Sequence, residues 1–161
     1  TPAVSGTAPT GSTAVVAING VNYPVTVDAN GNWSLPATST LPDGTYTPVL
    51  TVSADGATPV VHTGATFTID TQAPSLVVSS DKNALLAGQS ATLSFTFSEA
   101  VSDFTLDDVT VSGGTLSYLQ GSGQQFTATF TATATEVVLA SLSVQSERLT
   151  DVAGNHLDPQ Q

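Results

Sequence analysis

Apolar and polar residues alternate along much of this chain with a period of two. The alternation is explicit in residues 93–98 (LSFTFS) and 127–132 (TATFTA), and it recurs in residues 65–69 (ATFTI) and 140–144 (ASLSV). Successive side chains of a strand point to opposite faces of a sheet, so this pattern predicts strands with one apolar face and one face of Thr or Ser. Such strands suit antiparallel sheets that have water on one side.

Turn signals separate these segments at short intervals, among them Asn19-Gly20, Asn30-Gly31, Asp43-Gly44 and Asp55-Gly56. In the first half we predict strands at residues 3–7, 13–18, 22–28, 32–36, 45–53, 58–63 and 65–69. In the second half we predict 75–80, 90–98, 108–112, 115–119, 125–132 and 138–146, with a short strand after 155. Many short strands at this spacing indicate an all-β sandwich or barrel.

The natural break in the chain is at residues 70–74 (DTQAP), where Pro74 favours an extended link. The predicted domains are therefore residues 1–70 and 71–161, each of a length that suits a small β-sandwich. In the first, residues 41–46 have the spacing of a tyrosine corner, in which the Tyr46 hydroxyl bonds to backbone just upstream. Trp33 is expected to anchor the first core. The second domain ends too soon after residue 155 for a full last strand, which suggests a piece of a longer array.

The charge balance excludes several functions. The chain has 161 residues, with 2 Lys and Arg against 13 Asp and Glu, and a net charge of -11. It cannot neutralise a run of phosphates, so nucleic acid is excluded as a partner, and an anionic membrane surface is disfavoured. The absence of Cys excludes disulfides, thiolate zinc sites and a Cys nucleophile. No apolar run is long enough to predict a transmembrane helix. The acidic excess fits either a bound Ca²⁺ or a merely soluble surface, and composition leaves both open.

Several ordered motifs resemble the bacterial Ig-like repeats of large surface adhesins. Residues 28–34 (DANGNWS), 41–46 (LPDGTY) and 69–74 (IDTQAP) are similar to one repeat type. Another type is matched by residues 87–92 (AGQSAT), 97–101 (FSEAV), 104–111 (FTLDDVTV) and 149–155 (LTDVAGN). The resemblance covers nearly all of the chain. It implies two tandem Ig-like antiparallel β-sandwich domains joined by a short calcium-binding linker, with Ca²⁺ stiffening the joint.

The same resemblance implies a function. It points to the extender region of an RTX-type or biofilm-associated adhesin, outside the cell, where the chain spaces a distal adhesive domain from the surface. Its partners would be neighbouring Ig-like repeats of the same chain, and we expect a monomer without membrane insertion. The first domain departs from the family where residues 53–57 (SADGA) replace the usual Asp-x-Ala-Gly-Asn turn. The resemblance therefore does not extend a calcium site to that end.

A metal site can also be placed by topology. In an Ig-like sandwich the N-terminal link, the BC loop and the FG loop lie at one end. In the second domain these are residues 70–73, 99–108 and 151–155. The carboxylates of Asp70, Glu99 and Asp151 should then converge, with neutral oxygens from Asn155 and a carbonyl near Gln72. The full predicted set of metal ligands is Asp70, Gln72, Glu99, Asp151, Asn155, Asp43 and Asp107.

Two of these residues have a different basis from the rest. Asp43 lies in a turn of the first domain that is expected to face the joint. Asp107, with Asp103 and Asp108, forms a second acidic candidate within the BC region. The competing interpretation for the whole set is ordinary turn and cap residues, which Asp and Asn favour. Residues 28–32 (DANGN) likewise begin like an EF-hand loop, but a hairpin turn explains them better, since no Glu follows at the twelfth position.

Nothing in the sequence predicts catalysis. His62 and His156 have no nucleophile partner, Gly-x-Ser-x-Gly is absent, and Glu99, Glu136 and Glu147 fall on separate elements. We therefore expect a non-catalytic protein. The alternative is a glycan- or host-protein-binding module, which would present exposed aromatic side chains such as Trp33 beside Tyr23. An accessory sandwich of an extracellular polysaccharidase is a third interpretation, since the fold cannot decide among these.

Overall fold

The computed structural model describes residues 3–37, 41–135 and 139–159. Its contacts divide the chain into two compact units, Thr1–Asp70 and Thr71–Gln161. The strands in both units pair antiparallel, and the helices in the described ranges are two single turns of 3₁₀ helix, Leu106–Asp108 and Ser146–Arg148. No helix in these ranges is long and apolar enough to cross a membrane. The chain is therefore all-β, as its alternation predicts.

The first unit is built on a four-stranded sheet with two shorter strand pairs. Its strands are β1 (Val4–Thr7), β2 (Thr13–Ile18), β3 (Val21–Val25), β4 (Asn32–Leu35), β5 (Gly44–Tyr46), β6 (Val49–Ser53), β7 (Val60–Thr63) and β8 (Phe67–Ile69). The large sheet has the order β3-β2-β6-β7, and the pairs are β1-β4 and β5-β8. The predicted strand 45–53 is thus two strands. They separate at Thr47-Pro48, where proline has no N–H to donate to a ladder.

The core of the first unit follows from the alternation along β2, which buries Val16 and Ile18. Trp33 and Tyr46 complete this core, and Trp33 is only 7% exposed, as predicted for an anchor. The indole lies against Gly6, its cross-strand partner. A Cβ at position 6 would lie 2.9 Å from Trp33 Cζ2, so the absence of a side chain at Gly6 is what lets the ring pack there.

The predicted tyrosine corner is confirmed. The buried Tyr46 hydroxyl donates a hydrogen bond of 2.8 Å to the Pro42 carbonyl, four residues upstream. The ring also packs 5.8 Å, centroid to centroid, from Phe67 on β8. The bond fixes the chain that enters β5 and ties it to the core.

Replacing Tyr46 by phenylalanine should test the worth of this bond. The change keeps the ring and leaves the Pro42 carbonyl without its donor, so we expect a loss of about 1 kcal/mol in the free energy of unfolding. Urea denaturation followed by tryptophan fluorescence measures it, because Trp33 reports on this unit. Tyr118→Phe is the matched control, since the Tyr118 side chain is largely exposed. Equal midpoints for the two variants would contradict the assigned role.

The second unit has a longer sheet facing two short strand pairs. Its strands are β9 (Leu76–Ser80), β10 (Ser90–Phe97), β11 (Val101–Ser102), β12 (Val109–Val111), β13 (Gly114–Ser122), β14 (Gln125–Ala132), β15 (Leu142–Val144) and β16 (Thr150–Asp151). The order of the long sheet is β13-β14-β10-β9, and the pairs are β12-β15 and β11-β16. The predicted strand 138–146 is observed only as β15, and residue 138 lies outside the described ranges. The strand expected after 155 is a single bridge between Thr150 and His156.

Four phenylalanines form the centre of the second core. Phe104, in the loop after β11, packs edge-on against Phe95, Phe97 and Phe126, with ring centroids 5.1–5.3 Å apart. All four rings are buried. Edge-to-face packing adds to the gain from burying these large rings. The loop that carries Phe104 is therefore anchored to β10 and β14, two neighbouring strands of the long sheet.

A β-bulge interrupts β13. Ser117 pairs with Thr129 and Gln120 with Thr127, so two residues, Tyr118 and Leu119, stand opposite Ala128. Simple alternation from Leu116 would point Tyr118 inward. The bulge instead places Leu119 against the core and leaves Tyr118 77% exposed at a φ of 53°. An aromatic residue seldom adopts a positive φ, so the packing of Leu119 must outweigh this local strain.

Candidate metal centre

Three carboxylates come together where the chain enters the second unit. One oxygen each of Asp70, Glu99 and Asp151 lies within 4.8 Å of the other two. Within residues 3–37, 41–135 and 139–159 this is the one group of three or more acidic or imidazole side chains close enough to share an ion. Asp151 is buried, and the other two are half-buried.

The local backbone explains why Glu99 and Asp151 meet. β10 ends at Phe97, and the turn that follows is tied to the incoming chain, because Ser98 N–H donates to the Ser75 carbonyl and Ser75 N–H donates to Ser98 Oγ, both at 2.9 Å. Pairing of β11 with β16 then sets Val101 opposite Asp151, two residues after Glu99. Asp70 follows β8 at the start of the segment that leads into this turn.

Asp151 is held by its own turn. Its Oδ1 accepts the N–H groups of Gly154 at 2.6 Å and Asn155 at 2.9 Å, and its Oδ2 accepts the Asn155 side-chain amide at 2.8 Å. Gly154 has a φ of 97°, a conformation that glycine adopts without strain. Burial alone would raise the pKa of Asp151, but the hydrogen bonds from Asn155, Gly154 and Ala153 outweigh it and hold the pKa below 3.8. The carboxylate is therefore ionised at neutral pH.

The other predicted ligands differ in position. Asn155 donates its amide N–H to Asp151, so it orients that carboxylate. This positioning role was not foreseen, although the spacing Asp-x-x-Gly-Asn is its sequence signal. Gln72, Asp43 and Asp107 are exposed, and neither Asp43 nor Asp107 belongs to the acidic group. A ligand role for Asn155, Gln72 or Asp43 stays a prediction.

The second acidic candidate does not assemble. Asp108 is buried, and its Oδ2 accepts hydrogen bonds from the N–H and the hydroxyl of Thr105, both at 2.8 Å, in a capping box. Its other oxygen lies 3.9 Å from Arg148 Nε. Asp103 and Asp107 are exposed on either side of this cap. Asp108 thus serves the fold locally, which is the alternative that turn and cap chemistry offered.

Asp28 forms a hairpin turn and not an EF-hand loop. Its Oδ1 accepts the N–H groups of Asn30 and Asn32, both at 2.8 Å, and its Oδ2 accepts the Asn32 amide at 3.3 Å. The Asn32 N–H contributes most to holding the pKa of Asp28 below 3.8; slight desolvation opposes it, and Asn30 reinforces it. All three donors belong to residues 30 and 32, so this carboxylate is committed to its own turn.

The lowered pKa of Asp28 gives a pH prediction. Because the folded state favours the charged form, the contribution of Asp28 to stability is present above the unfolded pKa of about 3.9 and is lost as the pH falls through the folded value. We expect an NMR titration of the Asp28 carboxyl carbon to give a midpoint below 3.8. Asp28→Asn identifies the signal by removing it. A midpoint at or above 3.8 would show that the turn does not favour the carboxylate.

The structure also shows where the residues considered for glycan binding and for catalysis lie. Trp33 is buried, so the exposed pair of Trp33 and Tyr23 expected of a glycan site is not formed. His62 lies on β7, and His156 bridges to Thr150. Glu147 lies in the second 3₁₀ turn, and Glu136 lies outside the described ranges.

Comparison with known families gives two matches. One family model described as a bacterial Ig-like domain matches residues 70–159, and a second with the same description matches residues 1–71. The matches meet where the contacts divide the chain, after Asp70. No curated protein matches the chain significantly.

Proposed function

The chain belongs to the family of bacterial Ig-like domains, two of which stand in tandem, and from this premise we propose that it is a non-catalytic extender segment of a secreted bacterial adhesin. Such a segment holds a distal adhesive domain away from the cell surface, in cell adhesion or biofilm formation, as in RTX-type proteins. Its partners are neighbouring Ig-like repeats of the same chain, and it acts as a monomer. The Thr and Ser on its outer faces suit a spacer that must stay soluble beside its neighbours.

Calcium is the second part of the proposal, and the group of Asp70, Glu99 and Asp151 carries it. Three carboxylate oxygens are hard ligands that suit Ca²⁺, which takes 6–8 oxygens, and no thiolate or imidazole belongs to the group. Near 4 Å, each pair of like charges costs about 1 kcal/mol even in water. The chain has only two cationic side chains, Lys82 and Arg148. Their contacts are with the Ser90 carbonyl and Asp108.

The chain's own residues would give such an ion a rigid seat. The Asp151 turn fixes one carboxylate before any ion binds, and the bonds between Ser98 and Ser75 hold the backbone that leads into Glu99. Asp70 is the ligand that belongs to the link. An ion held by all three would tie the link to two loops of the second domain and restrict rotation about residues 70–73. This is how calcium would make a jointed spacer stiff.

A calcium titration tests the calcium part of the proposal. If the ion binds the folded state, Ca²⁺ at about a hundred times its Kd adds about 2.7 kcal/mol of stability, which for a domain of this size raises Tm by about 10–20 °C. Calorimetry in CaCl₂, MgCl₂ and EDTA measures the shift, and small-angle X-ray scattering measures the solution dimensions. Glu99→Gln should abolish the response, whereas Asp107→Asn, an exposed acid outside the group, should keep it. The same Tm and dimensions in CaCl₂ and EDTA would refute the calcium proposal.

A further inference from the structure

Tyr118 carries the most exposed aromatic ring among the described residues, with 77% of its surface accessible. Its neighbours in β13, Ser117 and Leu119, are both half-buried, and Leu119 packs against the core of the second unit. The backbone on either side of Tyr118 is therefore held by the sheet. The ring projects into solvent from a fixed base.

The bulge itself does not require a tyrosine at this position. The φ of 53° at Tyr118 lies in the left-handed region, which glycine adopts without strain, and bulges of this kind commonly have a glycine there. The contact that stabilises the bulge is made by Leu119. Glycine at position 118 would serve the fold at least as well, and what tyrosine adds is an exposed ring. Residues held in strained conformations are concentrated at sites that bind ligands.

The surface beside this ring is polar and uncharged. Ser117 pairs with Thr129 and Gln120 pairs with Thr127, and these four residues lie on the outer face of the long sheet, before and after the bulge. Although the chain has 13 acidic residues, β10, β13 and β14 contain no charged residue. The same face continues with further hydroxyls and an amide, those of Thr92, Ser94, Thr96 and Gln125.

Two of these polar side chains have hydrogen-bonding capacity to spare. Within residues 3–37, 41–135 and 139–159, neither the Gln120 amide nor the Thr127 hydroxyl makes a hydrogen bond. Farther along the same face, by contrast, the hydroxyls of Ser90 and Thr131 bond to each other at 2.9 Å. An amide and a hydroxyl can each donate and accept. The exposed ring thus lies in the strand beside neutral groups of both kinds.

We propose that Tyr118, Gln120 and Thr127 form a binding surface for a neutral glycan, a function beyond that of a spacer and independent of the acidic group. A sugar ring offers an apolar C–H face that can stack on an aromatic ring, and hydroxyls that suit the amide and the threonine. The net charge of -11 disfavours an acidic polysaccharide. A protein partner is disfavoured because protein interfaces have an apolar centre, whereas the surface beside Tyr118 offers hydroxyls and amides.

NMR titration of the isotope-labelled protein tests the proposal. The probes are oligosaccharides prepared from a glucan, a mannan and a galactan, and alginate is the acidic control. We expect a neutral probe to shift the backbone amide signal of Tyr118 and the side-chain amide signals of Gln120, whereas alginate leaves them unchanged. The absence of a shift with all three neutral probes would overturn the proposal. Shifts caused by gelatin and by none of the glycans would assign the surface to a protein partner and would also overturn it.

Tyr118→Gly separates binding from folding. Glycine relieves the positive φ, so Tm should stay the same or rise, whereas affinity for the glycan should fall by about tenfold or more. Val77→Ala is the matched control and should keep the affinity, because Val77 is an exposed residue of β9, at the opposite edge of the same face. Equal affinity in Tyr118→Gly and the parent protein would contradict the site. A lower Tm in Tyr118→Gly would show that the ring serves the fold, and the proposal would fail.

Gln120→Ala provides a second variant that keeps the ring. Because the Gln120 side chain is exposed and makes no bond in the described part of the chain, its truncation should leave Tm unchanged. It should still weaken glycan binding by about threefold or more, since it removes a donor and an acceptor from the surface. Unchanged affinity in this variant would contradict the assignment of the surface to these three residues.

Discussion

Asp151→Ala should destabilise the second domain strongly, with or without calcium. The buried carboxylate accepts three hydrogen bonds, and its removal takes the side-chain acceptor away from the N–H groups of Gly154 and Asn155 and from the Asn155 amide. Hydrogen bonds to a charged group are worth about 1.5–3 kcal/mol each, so the loss of the two backbone bonds alone should lower the free energy of unfolding by about 3–5 kcal/mol. Urea denaturation in EDTA, followed by circular dichroism, isolates this part from any effect of metal.

A comparison of variants at Asp151 and Glu99 separates the contribution of the folded turn to stability from the contribution of a bound ion. Glu99→Gln should raise stability in EDTA by about 1–2 kcal/mol, because it removes the repulsion of Glu99 with Asp70 and Asp151, and it should abolish the gain due to CaCl₂. Asp151→Ala should lower stability in EDTA and also abolish the gain due to CaCl₂, because the same side chain holds the turn and belongs to the acidic group. If Asp151→Ala behaves like Glu99→Gln in EDTA, the turn does not depend on the carboxylate, and the structural role assigned to Asp151 is wrong.

Phe104→Ala should have an effect of similar size by a different mechanism. Phe104 packs against three other rings from a loop, and its truncation leaves a cavity that those rings, fixed on β10 and β14, cannot close. Such changes cost about 3–5 kcal/mol. Calorimetry should show the loss in the second unit while the first keeps its transition. Val152→Ala is the control, because its side chain is 85% exposed and should cost almost nothing. A loss under about 1 kcal/mol for Phe104→Ala would show that the core can repack.

The parts of the fold that the sequence could predict are those where one local pattern faces no competitor. Alternation identified β10 and β14 closely, and their inward residues Phe95, Phe97 and Phe126 lie at the centre of the second core. It failed at Thr47-Pro48 and at Tyr118, where proline chemistry and a bulge override the period of two. Neither event is visible from hydrophobicity alone. The bulge is stabilised by the contact of Leu119 with the core. This is a tertiary contact that exists only in the folded chain.

The acidic residues, too, could be predicted from the sequence only in part. Asp70, Glu99 and Asp151 could be brought together from the sequence, because a sandwich places those three loops at one end whatever their detailed course. The sequence could not predict in this way which of Asp107 and Asp108 turns inward and which turns outward. Both are acids in one loop, and only the 3₁₀ turn that starts after Thr105 turns Asp108 inward as a cap and Asp107 outward. Side-chain direction within a loop is set by such local bonds, which composition does not encode.

The bulge at Tyr118 has a consequence for crowding. β13 is the outer strand of its sheet, and a long, regular outer strand invites a neighbouring molecule to extend the sheet, which is how many β-proteins begin to form fibres. At Tyr118 the ladder loses its register, and the positive φ turns the backbone out of the line that a second chain would have to follow. Copies of the protein packed side by side would therefore meet along an edge strand whose broken register opposes pairing between molecules. The strained backbone at Tyr118 would in this way protect a dense layer of such proteins from aggregating through their sheets.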